Sequence, residues 1–101
     1  MRPVARILLL AGTRPEALKL APVARALAAL RVPFLIVATG QHPSVVADEL
    51  PALGLSADVD LGIHRNGQTP ADVVAAILAR LPAVLRAERP AMVVVQGDTA
   101  S

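Results

Sequence analysis

The segment that most restricts the fold of this chain is an apolar run that leads straight into a glycine and a helix start. Ile7-Leu8-Leu9-Leu10-Ala11 has no polar position, which is typical of a β-strand covered on both faces, as in parallel sheets. Gly12-Thr13-Arg14-Pro15-Glu16 follows at once, and the spacing of Thr13 and Glu16 predicts a capping box that makes Glu16 structural. A buried strand, a glycine turn and a helix start carrying a cation commonly bind an anion. The segment therefore predicts a parallel α/β sheet with a phosphate-binding turn.

Alternating strands and helices continue along the rest of the chain. Pro22 and Pro82 lie inside two of the predicted helices and should kink them, and Gly54 should close the helix between them. Four strands joined by three helices predict an α/β, Rossmann-like parallel sheet of about four strands with flanking helices, in the order 3-2-1-4. The predicted strands are residues 5–11, 34–39, 58–63 and 91–96, and the predicted helices are residues 13–30, 43–53 and 69–88.

That strand order places the ends of the first and fourth strands side by side. The turn at Gly12 to Glu16 would then face Gly97-Asp98-Thr99 across one strand spacing, about 5 Å, in the crevice where such sheets bind ligands. Asp98 could act there as an acid or base, although an Asp after a strand is also a common helix cap. The fourth strand, predicted to be buried, would also form an exposed edge, which favours dimers or aggregation.

Composition excludes several classes of protein. The chain has no cysteine, which rules out thiolate catalysis and cysteine-ligated zinc. A net charge of +2, arginines spread along the chain and a single aromatic residue, Phe34, argue against a nucleic-acid partner. The apolar runs are too short for a signal peptide or a membrane span, so we expect no membrane partner and a cytoplasmic protein. Asp58 and Asp60 lack acidic neighbours at metal-ligand spacing, so no metal site is expected.

Four motifs taken together resemble one known family. They are Gly12-Thr13-Arg14-Pro15-Glu16-Ala17 with Lys19 and Ala21-Pro22, then Thr39-Gly40-Gln41-His42, Gly67-Gln68 and Gly97-Asp98-Thr99. Their order and spacing are similar to those of the amino-terminal part of the non-hydrolysing UDP-N-acetylglucosamine 2-epimerases. One motif alone would be weak, whereas four in register make the resemblance specific, and it spans essentially the whole chain.

The resemblance implies a fold and a reaction. Members of the family have two Rossmann-like domains in a glycosyltransferase-B-like fold, with a UDP-sugar bound in the cleft between them. They interconvert UDP-N-acetylglucosamine (UDP-GlcNAc) and UDP-N-acetylmannosamine (UDP-ManNAc) by eliminating UDP to give 2-acetamidoglucal and adding it back, without a nicotinamide or metal cofactor. They typically form homodimers, and bacterial members bind a second UDP-GlcNAc as an allosteric activator. The chain is thus expected to belong to an isomerase of polysaccharide biosynthesis.

The resemblance also assigns roles to individual residues. It implies that Asp98 is catalytic and that Arg14 and Lys19 bind the substrate, although either cation could instead be a solvated helix residue. His64-Arg65 matches no motif of the family and is interpreted as a solvated loop. The residues implied as contacts of the allosteric UDP-sugar are Gln41, His42 and Gln68.

Length limits the activity expected of the chain itself. The resembling enzymes are several times longer than 101 residues. Residues 1–101 are therefore expected to form a partial N-terminal Rossmann-like domain, without the second, UDP-binding domain and without epimerase turnover alone. Two alternatives remain open: another glycosyltransferase-B-like nucleotide-sugar enzyme, or a non-catalytic flavodoxin-like binding or regulatory module. A plain dinucleotide-binding domain is disfavoured because Gly12-Thr13-Arg14-Pro15 lacks the Gly-x-Gly-x-x-Gly pattern.

Overall fold

Strands and helices alternate along the chain in the computed structural model, which describes residues 6–96. The strands are β1 (Ile7–Ala11), β2 (Phe34–Ala38), β3 (Val59–Asp60) and β4 (Met92–Val94). The helices are α1 (Arg14–Ala29), α2, in which a π-helical stretch, Val45–Glu49, precedes an α-helical turn, Leu50–Ala52, and α3 (Pro70–Glu88). This alternation confirms the predicted α/β class.

The four strands form one parallel sheet in the predicted order, β3-β2-β1-β4. β1 pairs with β2 along its whole length, with Ile7 opposite Phe34 and Ala11 opposite Ala38. On its other side β1 pairs with β4, which begins with Met92 opposite Ile7. β2 and β3 are added on one side of β1, and the chain then crosses back to add β4 on the other side. Because parallel crossovers are right-handed, α3 must then lie on the opposite face of the sheet from α1 and α2.

Two hydrophobic clusters, one on each face, hold the helices to the sheet. Successive side chains of a strand point to opposite faces, so Leu8 and Leu10 of β1 join the cluster beneath α3, whereas Leu9 joins the cluster beneath α1 and α2. Burial on both faces explains why β1 and β2 are continuous apolar runs. The α3 cluster contains Leu8, Leu10, Leu35, Val37, Leu61, Ile63, Val73 and Ile77, and the other contains Leu9, Ala17, Ala24, Ile36, Val45 and Leu50.

Two strands differ from their predictions. β3 covers only Val59–Asp60 instead of residues 58–63, because Oδ1 of Asp60 accepts a hydrogen bond from the Gly62 N–H at 2.9 Å and Gly62 adopts a φ of 62°, which turns the chain out of the ladder. β4 is an edge strand within the described sheet, as predicted, but the prediction that it is buried is wrong. Met92 is 57% exposed, because the only strand beside β4 in residues 6–96 is β1.

The helix ends follow the capping chemistry of their sequences. Thr69 and Asp72 form a reciprocal capping box at the start of α3. The backbone N–H of Thr69 donates a hydrogen bond to the Asp72 carboxylate, and this bond lowers the pKa of that carboxyl below its usual value. Gly54 closes α2 at a φ of 75°, with its N–H bonded to the Pro51 carbonyl. α1 and α3 both continue through their internal prolines. Within residues 6–96, none of these helices is long and apolar enough to cross a bilayer.

Candidate functional site

The turn from β1 into α1 is built around the carboxylate of Glu16. This side chain is only 2% exposed, and its Oε1 accepts a hydrogen bond from the Gly12 N–H at 2.9 Å. Thr13 is the N-cap of α1, and its Oγ1 accepts the Glu16 N–H at 3.4 Å. Of the two bonds of the predicted capping box, the one from the Glu16 N–H to Thr13 is present. The other prediction is wrong, because the Glu16 carboxylate accepts the N–H of Gly12 and not that of Thr13. Gly12 lies just beyond the end of β1 with a buried N–H that needs an acceptor, and the Glu16 carboxylate supplies it.

Arg14 is the first residue of α1 and lies at the rim of this turn. Its side chain is 67% exposed, and its Nε donates a hydrogen bond to Oε2 of Glu49 at 3.0 Å. A guanidinium has five N–H donors in a planar fork, so this contact uses one of them. An exposed guanidinium with free donors is well suited to bind a phosphate group.

Lys19, the second predicted substrate cation, is exposed on α1 five residues after Arg14. That spacing separates the two side-chain directions by about 140° around the helix axis. The helix alone therefore does not bring the two cations together. Because helical side chains lean toward the N-terminus, the stem of Lys19 is nevertheless inclined toward the β1–α1 turn.

The loops that follow β2 and β3 pack closely against each other at the same edge of the sheet. Gly40 has a φ of 81°, and a Cβ at this position would lie 2.6 Å from the backbone nitrogen of Gly62, so only glycine fits. Thr39 is fully buried, and its N–H donates to the Ala11 carbonyl at 3.0 Å, while its own carbonyl accepts the Ile63 N–H at 3.2 Å. The loops after β1, β2 and β3 are thus tied together at one edge.

A pocket of about 250 Å³ opens between the loops after β2 and β3. Gln41 and His42 line it from the first loop and Gln68 lines it from the second, so the structure brings together the three residues implied as allosteric contacts. Gln68 is fixed in place, since its Nε2 donates to the Ile63 carbonyl at 2.7 Å and its Oε1 accepts the Arg65 N–H at 3.2 Å. The other lining residues are His64, Arg65, Asn66, Gly67 and Val73.

His64 and Arg65 belong to this pocket, which their sequence did not indicate. Both are exposed, as expected of a loop, but both line the pocket, and Nδ1 of His64 lies 3.0 Å from the backbone oxygen of Gln41. Arg65 supplies a cation, and the side-chain amides supply donors and acceptors, so the lining suits an anionic, polar ligand. Only the position of these two residues in the chain could have indicated the pocket, because their loop leaves the carboxyl end of β3, the strand beside β2.

Arg80 of α3 anchors the loop that carries these residues. Its Nη1 donates to the carbonyl oxygens of Leu61 at 2.5 Å and Gly62 at 2.8 Å. A charged donor that satisfies two carbonyls just after β3 fixes the path of the loop toward the pocket. The pocket therefore depends on all of its neighbours: β2, β3 and α3.

Asp98, the predicted catalytic residue, lies outside the described residues, together with Gly97 and Thr99. The register of the sheet supports its predicted position. Val94 lies opposite Leu9, and Asp98 follows Val94 by as many residues as Thr13 follows Leu9. That Asp98 faces the β1–α1 turn stays a prediction.

The two acids near β3 have backbone partners. Oδ2 of Asp58 accepts the Ile36 N–H at 2.7 Å, and Oδ1 of Asp60 accepts the Gly62 N–H. Within residues 6–96 there is no group of three or more histidine, cysteine or acidic side chains that could hold a metal ion. These carboxylates fix the ends of strands and loops.

A four-stranded parallel sheet in this order, with a helix start and two polar loops at its carboxyl edge, defines a Rossmann-like α/β domain. The sequence then identifies the family within that class. A sequence model of the UDP-N-acetylglucosamine 2-epimerase family matches residues 25–101. The chain belongs to this family.

Curated relatives agree with that family. The chain is 36% identical, over 97 residues, to the UDP-N-acetylglucosamine 2-epimerases of Campylobacter jejuni and Escherichia coli K12. The alignments cover 95% and 93% of this chain but 25% of each relative. The chain therefore spans about a quarter of the length of the curated relatives it matches.

Solved structures of the family have the same fold in this region. The Methanocaldococcus jannaschii UDP-GlcNAc 2-epimerase in complex with UDP-GlcNAc and UDP matches 94% of this chain at 34% identity with a TM-score of 0.84. The Neisseria meningitidis enzyme bound to UDP-GlcNAc matches the same share at 33% identity with a TM-score of 0.82. This chain covers 26% of either protein. The four-stranded sheet is thus the fold of the corresponding part of these glycosyltransferase-B-like epimerases.

Proposed function

We propose that this chain is part of a UDP-GlcNAc 2-epimerase and that its β1–α1 turn binds the diphosphate of the UDP-sugar. The match to a solved relative that holds UDP-GlcNAc and UDP, over 94% of this chain, is the observation that carries the proposal. Local chemistry supports it, because helix starts attract anions and the Arg14 guanidinium is exposed at the rim of the turn. Lys19 adds a second cation that leans toward the same turn.

The proposed reaction interconverts UDP-GlcNAc and UDP-ManNAc by elimination and re-addition of UDP. A base removes the proton from C2 of the sugar while the bond between C1 and the UDP oxygen breaks, which leaves 2-acetamidoglucal and UDP. UDP then returns to C1 as a proton is delivered to the other face of C2. We assign an acid–base role to Asp98, and the cations at the β1–α1 turn stabilise the departing diphosphate. The sequence of steps involves no net oxidation and needs no redox cofactor.

The pocket between the loops after β2 and β3 is proposed as a regulatory site for a second UDP-sugar. Gln41, His42 and Gln68 line it together with the cation of Arg65, which supports an anionic ligand. Its volume of about 250 Å³ is below the ~300–1,000 Å³ of sites that enclose a whole small ligand. The pocket would therefore contact one end of the UDP-sugar.

The complete enzyme is proposed to be a cytoplasmic homodimer in which residues 1–101 belong to the N-terminal domain. A second Rossmann-like domain would supply the other wall of the UDP-sugar cleft. Residues 1–101 span a quarter of the length of the relatives and cannot by themselves enclose that cleft. Residues 1–101 alone are therefore expected to give no epimerase turnover.

Two preparations test the proposed function. The protein expressed as its gene encodes it should convert UDP-GlcNAc into a mixture with UDP-ManNAc, followed by NMR of the sugar protons, whereas a polypeptide of residues 1–101 should return the substrate unchanged. Turnover by the 101-residue polypeptide would refute the need for a second domain. A folded gene product that leaves both UDP-sugars unchanged would refute the proposed reaction.

A further inference from the structure

We infer that Glu49 is a positioning residue for Arg14, holding its guanidinium ready for the diphosphate of a nucleotide ligand. The inference rests on the proposed function, and it concerns a residue that lies in none of the four motifs of the resemblance. The contact joins residues 35 apart in the chain, so it exists only because α2 packs beside the start of α1.

The geometry of the pair suits positioning rather than blockage. Nε of Arg14 donates to a single oxygen of Glu49, Oε2, at 3.0 Å. The terminal nitrogens of a guanidinium carry the four remaining N–H donors, which form the fork that binds a phosphate bidentately. Engagement of Nε by a carboxylate fixes the plane of the guanidinium and leaves the donors of the fork to a ligand.

The position of Glu49 is itself well fixed. It is the last residue of the π-helical stretch of α2, and Val45 and Leu50 anchor that helix with 2% and 1% of their surfaces exposed, in the cluster shared with Ala17 of α1. The Glu49 side chain is 28% exposed, against 67% for Arg14. A half-buried carboxylate on an anchored helix is therefore the fixed partner, and the more exposed arginine is the one that gains order.

The expected size of the effect follows from the exposure of the pair. Ion pairs at protein surfaces seldom change an equilibrium by more than about fivefold. Ordering Arg14 before the ligand arrives removes part of the entropy cost of binding. We expect Glu49→Ala to weaken UDP binding about 3-fold to 5-fold, although the substitution removes a negative charge near a site for an anion.

Titration calorimetry with UDP, on the protein expressed as its gene encodes it, tests the inference. Glu49→Ala should raise Kd about 3-fold to 5-fold, whereas Glu49→Gln, which keeps an oxygen acceptor for Nε, should stay within about twofold of the unaltered protein. Asp48→Ala is the matched control, because Asp48 is the neighbouring exposed acid on the same helix and its removal changes the charge equally. It should also stay within about twofold.

A double-mutant cycle separates positioning from a general effect on the fold. In a protein that already carries Arg14→Ala, Glu49→Ala should cause no further loss of UDP affinity. Equal losses in both backgrounds, or a Glu49→Ala protein that binds UDP as tightly as the unaltered one, would overturn the role of Glu49. Failure of the unaltered protein to bind UDP would instead overturn the proposed function, and this inference with it.

Discussion

Asp98→Asn is expected to lower the kcat of UDP-GlcNAc epimerisation by about 10²-fold to 10⁴-fold, the usual contribution of a positioned acid or base. Asparagine keeps the size of the side chain but cannot accept a proton. The affinity for UDP should change little, because the proposed diphosphate contacts come from the β1–α1 turn. The measurement is the rate of UDP-ManNAc formation by the protein expressed as its gene encodes it.

The pairing of β4 with β1 supports an acid–base role for Asp98 beside the β1–α1 turn. Val94 lies opposite Leu9, and Asp98 follows Val94 by as many residues as Thr13 follows Leu9, so we predict that Asp98 faces the β1–α1 turn. Asp48→Asn, on the exposed face of α2, is the control and should keep the kcat of the unaltered protein. Full activity of Asp98→Asn would remove Asp98 from the mechanism.

Gly40→Ala is expected to lower the free energy of unfolding by about 2–5 kcal/mol, from backbone strain and overpacking together. The φ of 81° is unfavourable for any residue with a Cβ, and this Cβ would lie 2.5 Å from Oδ1 of Asp60 and 2.6 Å from the backbone nitrogen of Gly62. Neither neighbour can move aside easily, because one is the backbone of Gly62 and the other is the Asp60 carboxylate, which that backbone holds by a hydrogen bond. Urea unfolding of the chain measures the change.

Gly54→Ala is the matched control for the backbone term. Gly54 has a φ of 75°, but a Cβ there would meet nothing within 4 Å, so only the left-handed conformation is penalised, at about 1–2 kcal/mol. A Gly40→Ala protein no less stable than Gly54→Ala would contradict the close packing of the loops after β2 and β3. Since Gln41 and His42 directly follow Gly40, the same substitution should also disorder the pocket.

The fold was predictable because its signals are local. The apolar runs of β1 and β2, the caps at Thr13 and Thr69 and the closing glycine at position 54 all act within a few residues, and their alternation leaves few topologies. Even the strand order was predictable, because Rossmann-like sheets change the side on which strands are added after the third strand. Two of the wrong predictions, for the second bond of the capping box and for the length of β3, concern side chains with a choice between two nearby backbone partners. The predicted burial of β4 was wrong for another reason, because only β1 lies beside β4 in residues 6–96.

The site was only partly predictable because its remaining parts depend on tertiary contacts. Glu49 reaches Arg14 across 35 residues, and no spacing rule along the chain connects them. Similarly, His64 and Arg65 line the same pocket as Gln41 only because the loops after β2 and β3 are packed together by Gly40 and Gly62. Motif resemblance found the residues that carry family patterns, and the structure added residues that only tertiary packing brings to the site.

The UDP affinity of Arg14→Ala, with Arg86→Ala as the control, is the most direct measurement of the proposed diphosphate site, in the protein expressed as its gene encodes it. Arg86 is an exposed cation in the last turn of α3, on the opposite face of the sheet from α1, so its removal matches the change in charge. Because charged hydrogen bonds contribute about 1.5–3 kcal/mol each, Arg14→Ala should weaken UDP binding at least about 10-fold, and Arg86→Ala should leave it unchanged. Equal affinities for Arg14→Ala and the unaltered protein would contradict a diphosphate site at the β1–α1 turn.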